Sequence, residues 1–247
     1  MYKIDINCDM GEGYPDDALL MRYISSANIA CGFHAGDAET MKRTVELCMH
    51  HNVAIGAHPS YPDPENFGRT DMLGKELQLA DLPGIIAEQV HALLNICKKE
   101  GAKLHHVKPH GALYNRAARD REAAMLICKT VGEIDPSLIL YGLSGSIMKE
   151  AAACFNLQFW NEVFADRTYQ PDGSLTPRTE QGALIENTGH ALRQVIRIVR
   201  HQQVTAIDGS QVNLVADTIC IHGDGKHAVE FAGAIYEELV NNGIALQ

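Results

Sequence analysis

Asp5-Ile-Asn-Cys-Asp-Met-Gly-Glu12 concentrates acidic and amide groups in one short extended segment. Alternation along a strand puts Asp5, Asn7 and Asp9 on one face and Ile4, Ile6 and Cys8 on the other. Carboxylates turned into a core need partners, because burying one unpaired is costly. A salt-bridge network or a turn cap would account for Asp9 alone. The trio together with Glu12 reads better as part of an active site.

Similar polar clusters recur. Cys31-Gly-Phe-His34-Ala-Gly-Asp37 places His34 in a glycine-rich loop, with Asp37 suited to cap the helix that follows. His58 is followed by a loop stiffened by three prolines that ends at Arg69, whose planar guanidinium suits a carboxylate or phosphate. Lys108 and His110 lie two apart on an extended segment, so they point the same way. Lys108 reads as an electrostatic clamp and His110 as an acid or base. Of His105 and His106, at least one reads as a core histidine. Asp166 and Arg167 precede a long polar loop with a Pro-Asp-Gly turn. His222-Gly-Asp224-Gly-Lys226 resembles a phosphate-cradling turn without the Walker A spacing.

No Gly-x-Ser-x-Gly elbow and no dinucleotide fingerprint occurs in the chain. Carboxylates, imidazoles and cations suit hydrolysis, by general acid–base catalysis or with a divalent metal. Asp5, His34 and His58, with Asp9 or Glu12, make a mixed oxygen and nitrogen set for such a metal, although no tight His spacing demands one.

These residues require elements to hold them. Strands are expected over Lys3–Cys8, Ala27–Cys31, Val53–Ala57, Leu104–Val107, Leu138–Gly142, Phe159–Phe164 and Thr218–His222. Amphipathic helices are expected over Ala38–His51, Leu82–Glu100, Arg119–Glu133, Gly145–Phe155, Asn187–His201 and Ala228–Asn241. Val204–Ile207 and Val212–Val215 flank Asp208-Gly-Ser as a β-hairpin. Strand–helix alternation implies a parallel sheet. Nearly every strand ends in a polar cluster, and a closed barrel brings such ends to one mouth. The fold expected is an α/β, irregular seven-stranded parallel β/α barrel with an extra hairpin, forming a single domain over residues 1–247.

The chain has 247 residues and a net charge of −10, which disfavours nucleic-acid and anionic-membrane partners. Its seven cysteines are odd in number and lack a Cys-x-x-Cys spacing, as expected of thiols in a reducing cytoplasm. The N-terminal residues show no signal-peptide pattern, and no apolar run reaches transmembrane length.

The longer motifs resemble the LamB/YcsF family. They are Asp5–Glu12, Asn28–Asp37, Gly56–Tyr61, Phe67-Gly-Arg69, Val107–Asn115, Phe164–Tyr169 and Ile221–Asp224, in order along essentially the whole chain. Gly225-Lys-His departs from the neutral turn expected before the last helix. The resemblance implies a TIM-like barrel related to carbohydrate deacetylases. It also implies ATP-dependent opening of the 5-oxo-L-proline lactam to L-glutamate, in a complex with two other subunits, B and C. ATP with Mg2+ would be the co-substrate. On that reading Asp5, Glu12, His34, His58, Lys108 and His110 are catalytic. Asn7, Asp9, Arg69, Tyr114, Asp166, Arg167, His222 and Asp224 bind substrate or phosphate. Lys108 and Arg69 would face the phosphates, Arg167 the substrate carboxylate, and His34, His58 or Asp5 would activate water. Two alternatives remain open: a stand-alone metal-dependent hydrolase or deacetylase, and a non-catalytic subunit that holds substrate for its partners.

Overall fold

Strands rich in β-branched residues alternate with helices that carry one apolar stripe, so each strand can bury both faces against barrel interior and helix. The computed structural model describes residues 2–223 and 227–247. Its strands are β1 Lys3–Met10, β2 Ser26–Ala30, β3 Ala54–His58, β4 Leu104–Val107, β5 Ile139–Leu143, β6 Gln158–Phe164, β7 Gln203–Thr205, β8 Gln211–Asn213, β9 Thr218–Ile221 and β10 Ala245–Leu246. The α-helices are α1 Asp17–Leu20, α2 Ala38–His51, α3 Leu82–Glu100, α4 Gly111–Arg119, α5 Arg121–Ile134, α6 Met148–Cys154, α7 Thr188–His201 and α8 Ala228–Asn241.

Strands β1 to β6 pair in sequence order, all parallel, and β9 inserts between β6 and β1 to close the ring. The barrel is therefore seven-stranded, as the sequence implies. Near its start β1 also pairs with β10, Lys3 opposite Ala245 and Ile4 opposite Leu246. This extra strand is two residues long, too short to leave a periodic signal. The hairpin β7–β8 is antiparallel, with Val204 opposite Val212. It bonds to the long polar loop through Ile207 N–H to Tyr169 O at 2.9 Å.

Three helix boundaries match the sequence reading, at α2, α3 and α8. Two helices differ more. Gly111–Arg119 is helical, so the segment after β4 is not an open loop. The chain then breaks at Asp120, whose carboxylate caps α5 by accepting from Glu122 N at 3.0 Å and Ala123 N at 3.2 Å. Asp37 caps α2 as expected, accepting from Thr40 N at 2.7 Å. No helix of the described residues is long and apolar enough to cross a membrane.

The larger of two apolar clusters is made largely where the outer strand faces meet the helices, and includes Ile4, Ile6 and Cys8 of β1 with Val45, Ile86 and Leu239; a small second one joins Tyr114, Leu143, Phe164 and Cys220. The inner faces carry the polar residues, and this inversion builds the site.

Candidate active site at the barrel mouth

The inward face of β1 sets a column of polar groups along the barrel axis. Asp5 lies deepest. Its carboxylate accepts from Ser26 Oγ at 2.8 Å and from the Thr218 hydroxyl. Burial raises its pKa to about 6, against the lowering effect of these hydroxyl bonds. Asn7 follows, donating from Nδ2 to Thr218 Oγ1 at 2.7 Å. The side-chain amide of Asn28 donates to Asn7 Oδ1 and to Asp9 Oδ1, each at 2.8 Å. Asn28 Oδ1 in turn faces His106 Nε2 at 2.9 Å. His106 is fully buried and stacks on Tyr141, so this member of the histidine pair is structural.

Lys108 brings its ammonium to the floor of the mouth. Nζ lies 2.9 Å from Asp9 Oδ1, 3.1 Å from Asn7 Oδ1 and 2.8 Å from Glu162 Oε1. Burial works against its charge, and Asp9 and Glu162 outweigh that effect, so its pKa is raised. Asp9 is partly buried, and the ammonium of Lys108 beside it helps to hold its pKa well below the usual carboxylate range despite desolvation. Tyr114 is buried beside this floor and lines the cleft.

Above the floor four side chains converge. Glu12, His34, His58 and His110 each offer a ligand atom, and these atoms lie within 4.8 Å of one another. They arrive from the ends of four successive strands, β1 to β4. His34 stacks face to face on His110 with centroids 3.8 Å apart, and Phe67 packs its ring edge-on to both. Gly68 makes this stack possible: at its φ of +65°, a Cβ would meet the His110 ring and His34 Cβ at 3.0 Å each. Burial depresses the pKa of His34 to about 3 and pushes that of His110 well down. Both are therefore neutral imidazoles at neutral pH. A carboxylate with three imidazoles is a fitting donor set for a borderline divalent metal. Asp5 lies below this cluster and is not one of the converging groups.

The opposite wall holds a second pair. His222 Nδ1 lies 2.7 Å from Asp166 Oδ2. Asp166 is partly buried and desolvation works against its charge, yet His222 and Arg167 keep its pKa low. Arg167 is 7% exposed and turns its guanidinium to the long loop, donating to Thr176 O at 2.6 Å and Ala183 O at 3.3 Å. It thus ties down the loop that roofs the cleft. Arg69 stands at the rim over the Phe67 ring, 5.1 Å from its centroid. The cleft they enclose has a volume of about 1190 Å³ and is lined by Lys108, Arg69, Arg119 and Arg178 among others. Asp224 lies outside the described residues.

Several functional residues escape the sequence reading. Asn28 and Ser26 carry a recoverable signal, since polar residues alternate through an otherwise apolar strand. Glu162 follows Asn161 in the otherwise apolar second half of β6, a weaker form of the same signal. Ser60, which hydrogen-bonds His34 Nδ1 at 3.0 Å, and Gln194, whose amide donates to Phe164 O and Arg167 O, carry none.

The fold and site together define a closed parallel β/α barrel whose mouth gathers carboxylate and imidazole side chains over a buried lysine. The chain belongs to the LamB/YcsF family, whose model matches residues 4–247. A protein of Haemophilus influenzae (strain PittEE), named as the A subunit of 5-oxoprolinase, is 50% identical to it over 246 residues, covering 100% of this chain and 99% of that one. A protein of Geobacillus kaustophilus (strain HTA426) with the same name is 47% identical over 251 residues, covering 100% and 97%. The crystal structure of a lactam utilization protein from Thermus thermophilus superposes with a TM-score of 0.92 at 40% identity, covering 99% of each chain.

Proposed function

We propose that this chain is the A subunit of a cytoplasmic, ATP-dependent 5-oxoprolinase that works with partner subunits B and C. The observation that carries this reading is the near-complete alignment with relatives bearing that name, at 47% and 50% identity. The seven cysteines, all free thiols and six of them buried, support a reducing compartment.

The chemistry suits the site. A five-membered lactam is a stabilised amide, so it opens more readily once its oxygen has been activated. Transfer of the γ-phosphoryl of ATP to the lactam oxygen releases ADP and makes the ring carbon electrophilic. Water then adds to that carbon, the ring C–N bond breaks with the nitrogen taking a proton, and a second water releases phosphate from the resulting acyl phosphate. Lys108 supplies positive charge where the oxyanion and phosphoryl oxygens develop, supported from the rim by Arg69 with Mg2+ on the nucleotide. The cluster of Glu12, His34, His58 and His110 activates the attacking water. His222, oriented by Asp166, is placed to protonate the leaving nitrogen. Asn7, Asp9 and Tyr114 shape the floor.

Purified chain, alone and mixed with subunits B and C, should be assayed for glutamate released from 5-oxoproline with ATP. Release by the trio and by no smaller set is expected; release by the trio without ATP, or none at all, counts against the reading. The cluster of Glu12 with three histidines favours one second reading, a metal-dependent hydrolase acting alone. That reading requires ATP-independent turnover by the isolated chain, lost on chelation.

A further inference from the structure

We propose that Glu12 Oε1, His34 Nε2, His58 Nε2 and His110 Nδ1 form a site for one borderline divalent cation of the Zn2+ or Co2+ type, with Asp9 beside it. The argument rests on where each imidazole must keep its hydrogen. His58 Nδ1 lies 2.7 Å from Lys108 O, a backbone carbonyl that can only accept. His110 Nε2 lies 2.9 Å from Phe67 O, which likewise only accepts. His34 Nδ1 lies 3.0 Å from Ser60 Oγ, whose own hydrogen goes to Tyr61 O at 2.9 Å. Each ring therefore donates outward and turns its other nitrogen, a bare lone pair when the ring is neutral, toward the centre.

In the contacts made by the described residues, those nitrogens face ring nitrogens and carboxylate oxygens. His58 Nε2 faces His110 Nδ1 at 2.9 Å and Asp9 Oδ2 at 3.3 Å. His34 Nε2 faces Glu12 Oε1 at 3.0 Å, and His110 Nδ1 lies 3.5 Å from the same oxygen. One cation placed among them satisfies these contacts together. A proton on one ring bridges one such contact and leaves the others facing lone pair to lone pair. A divalent ion meets them all. Bonds of about 2.1 Å to nitrogen and oxygen give ligand–ligand edges of roughly 3.0–3.4 Å, close to the contacts of 2.9–3.5 Å here, with all four ligand atoms within 4.8 Å of one another. Orientation of metal-bound histidines by an outward hydrogen bond to a carbonyl or hydroxyl is the usual arrangement of such sites. Three nitrogen donors favour Zn2+ or Co2+ over the all-oxygen preference of Mg2+.

The test uses the isolated full-length chain, without ATP, lactam or other subunits, so its outcome is separate from that of the oxoprolinase reading. Metal-stripped protein is titrated with Co2+ and followed by visible absorption, and zinc retained after gel filtration is measured by mass spectrometry. Expected are about one equivalent of Zn2+, a saturable Co2+ spectrum, and no displacement by millimolar Mg2+. Ser60→Ala, which removes the outward partner of His34, should weaken affinity about 10- to 100-fold. His34→Gln and His110→Gln should abolish binding, with thermal melts reporting whether each variant folds. Nitrogen-detected NMR of the stripped wild-type chain checks the protonation pattern without any variant: Nδ1–H on His34 and His58, and Nε2–H on His110. Wild-type protein retaining less than about a tenth of an equivalent of Zn2+, or folded variants retaining as much as wild type, would overturn the proposal.

Discussion

The ammonium of Lys108 lies 2.8 Å from the fully buried carboxylate of Glu162, at the floor of the barrel mouth. Glu162 arrives from β6 and Lys108 from the end of β4, so the pair ties two non-adjacent strands across the interior. Asp9 completes the arrangement from β1 at 2.9 Å. Removing the lysine strands two carboxylates in a low-dielectric space. Lys108→Met should therefore cost about 3–5 kcal/mol of stability, measured by urea unfolding. In the assembled complex it should also abolish lactam-dependent ATP hydrolysis. Adding Glu162→Gln to Lys108→Met should restore part of the stability, because one of the two stranded charges is gone, but no turnover. Turnover retained by Lys108→Met would remove this residue from the chemistry.

Asp5 makes a prediction about pH. Its pKa is raised by burial to about 6 from an unfolded value of 3.8. A raised folded pKa means that the native state holds the proton more tightly than the unfolded chain. Its contribution to stability is thus fully present below about pH 3.8 and is lost as pH rises through 6. The difference of about two pKa units corresponds to roughly 3 kcal/mol. Asp5→Asn keeps the shape and cannot ionise. The melting temperature of this variant minus that of wild type should therefore become more positive between pH 4 and pH 7. A difference that stays flat across that range would show that Asp5 does not titrate between these limits.

Gly56 has no room for a side chain. A Cβ there would lie 2.0 Å from His106 Nε2 and 2.3 Å from two carbons of the same ring. His106 cannot retreat, since it is fully buried, stacks on Tyr141 at 4.1 Å and hydrogen-bonds Asn28 at 2.9 Å. Gly56→Ala should cost about 1–3 kcal/mol through overpacking, a fall in melting temperature of several degrees. Asn28 orients Asn7 and Asp9, so the loss should extend to catalysis. Combining it with His106→Asn, which vacates the clash, should recover part of the melting temperature. Gly56→Ala melting like wild type would refute the packing argument.

These cases mark what a sequence can disclose. The barrel is visible because each strand is a short apolar run and each helix carries a 3.6-residue stripe, strongest in α7, where Ala191, Val195, Ile198 and Val199 are buried. The polar mouth is visible because Asp5, Asn7 and Asp9 break the apolar pattern of β1 with period two. Helix α4 is hidden by its start, Pro109-His110-Gly111, which reads as a turn. The pairing of Lys108 with Glu162 joins residues 54 positions apart and depends on barrel closure, which no local pattern encodes. The convergence of Glu12, His34, His58 and His110 depends on four strand ends meeting, so single residues could be named but not their shared centre. Arg167 shows the opposite case: its type suggested a substrate anion, whereas its geometry shows backbone carbonyls.

That geometry gives the last prediction. The guanidinium of Arg167 is buried, which lowers its pKa to about 10, and it donates to Thr176 O and Ala183 O. Both acceptors lie in the loop that follows β6, and Gln194 of α7 holds the backbone carbonyl of Arg167 itself at 2.9 Å. The loop is thus tied to the barrel through one forked side chain. Lysine cannot reproduce two divergent N–H donors. Arg167→Lys should leave the core, and hence the melting temperature, within a few degrees of wild type. It should speed proteolytic nicking between Gln170 and Leu184 by about tenfold, which is a loss of roughly 1.4 kcal/mol in local closing free energy. If the loop roofs bound substrate, KM for the lactam should rise more than kcat falls. A nicking rate equal to wild type would show that the loop is held by other contacts, such as the Tyr169–Leu175 bridge and the Ile207 N–H bond to Tyr169 O.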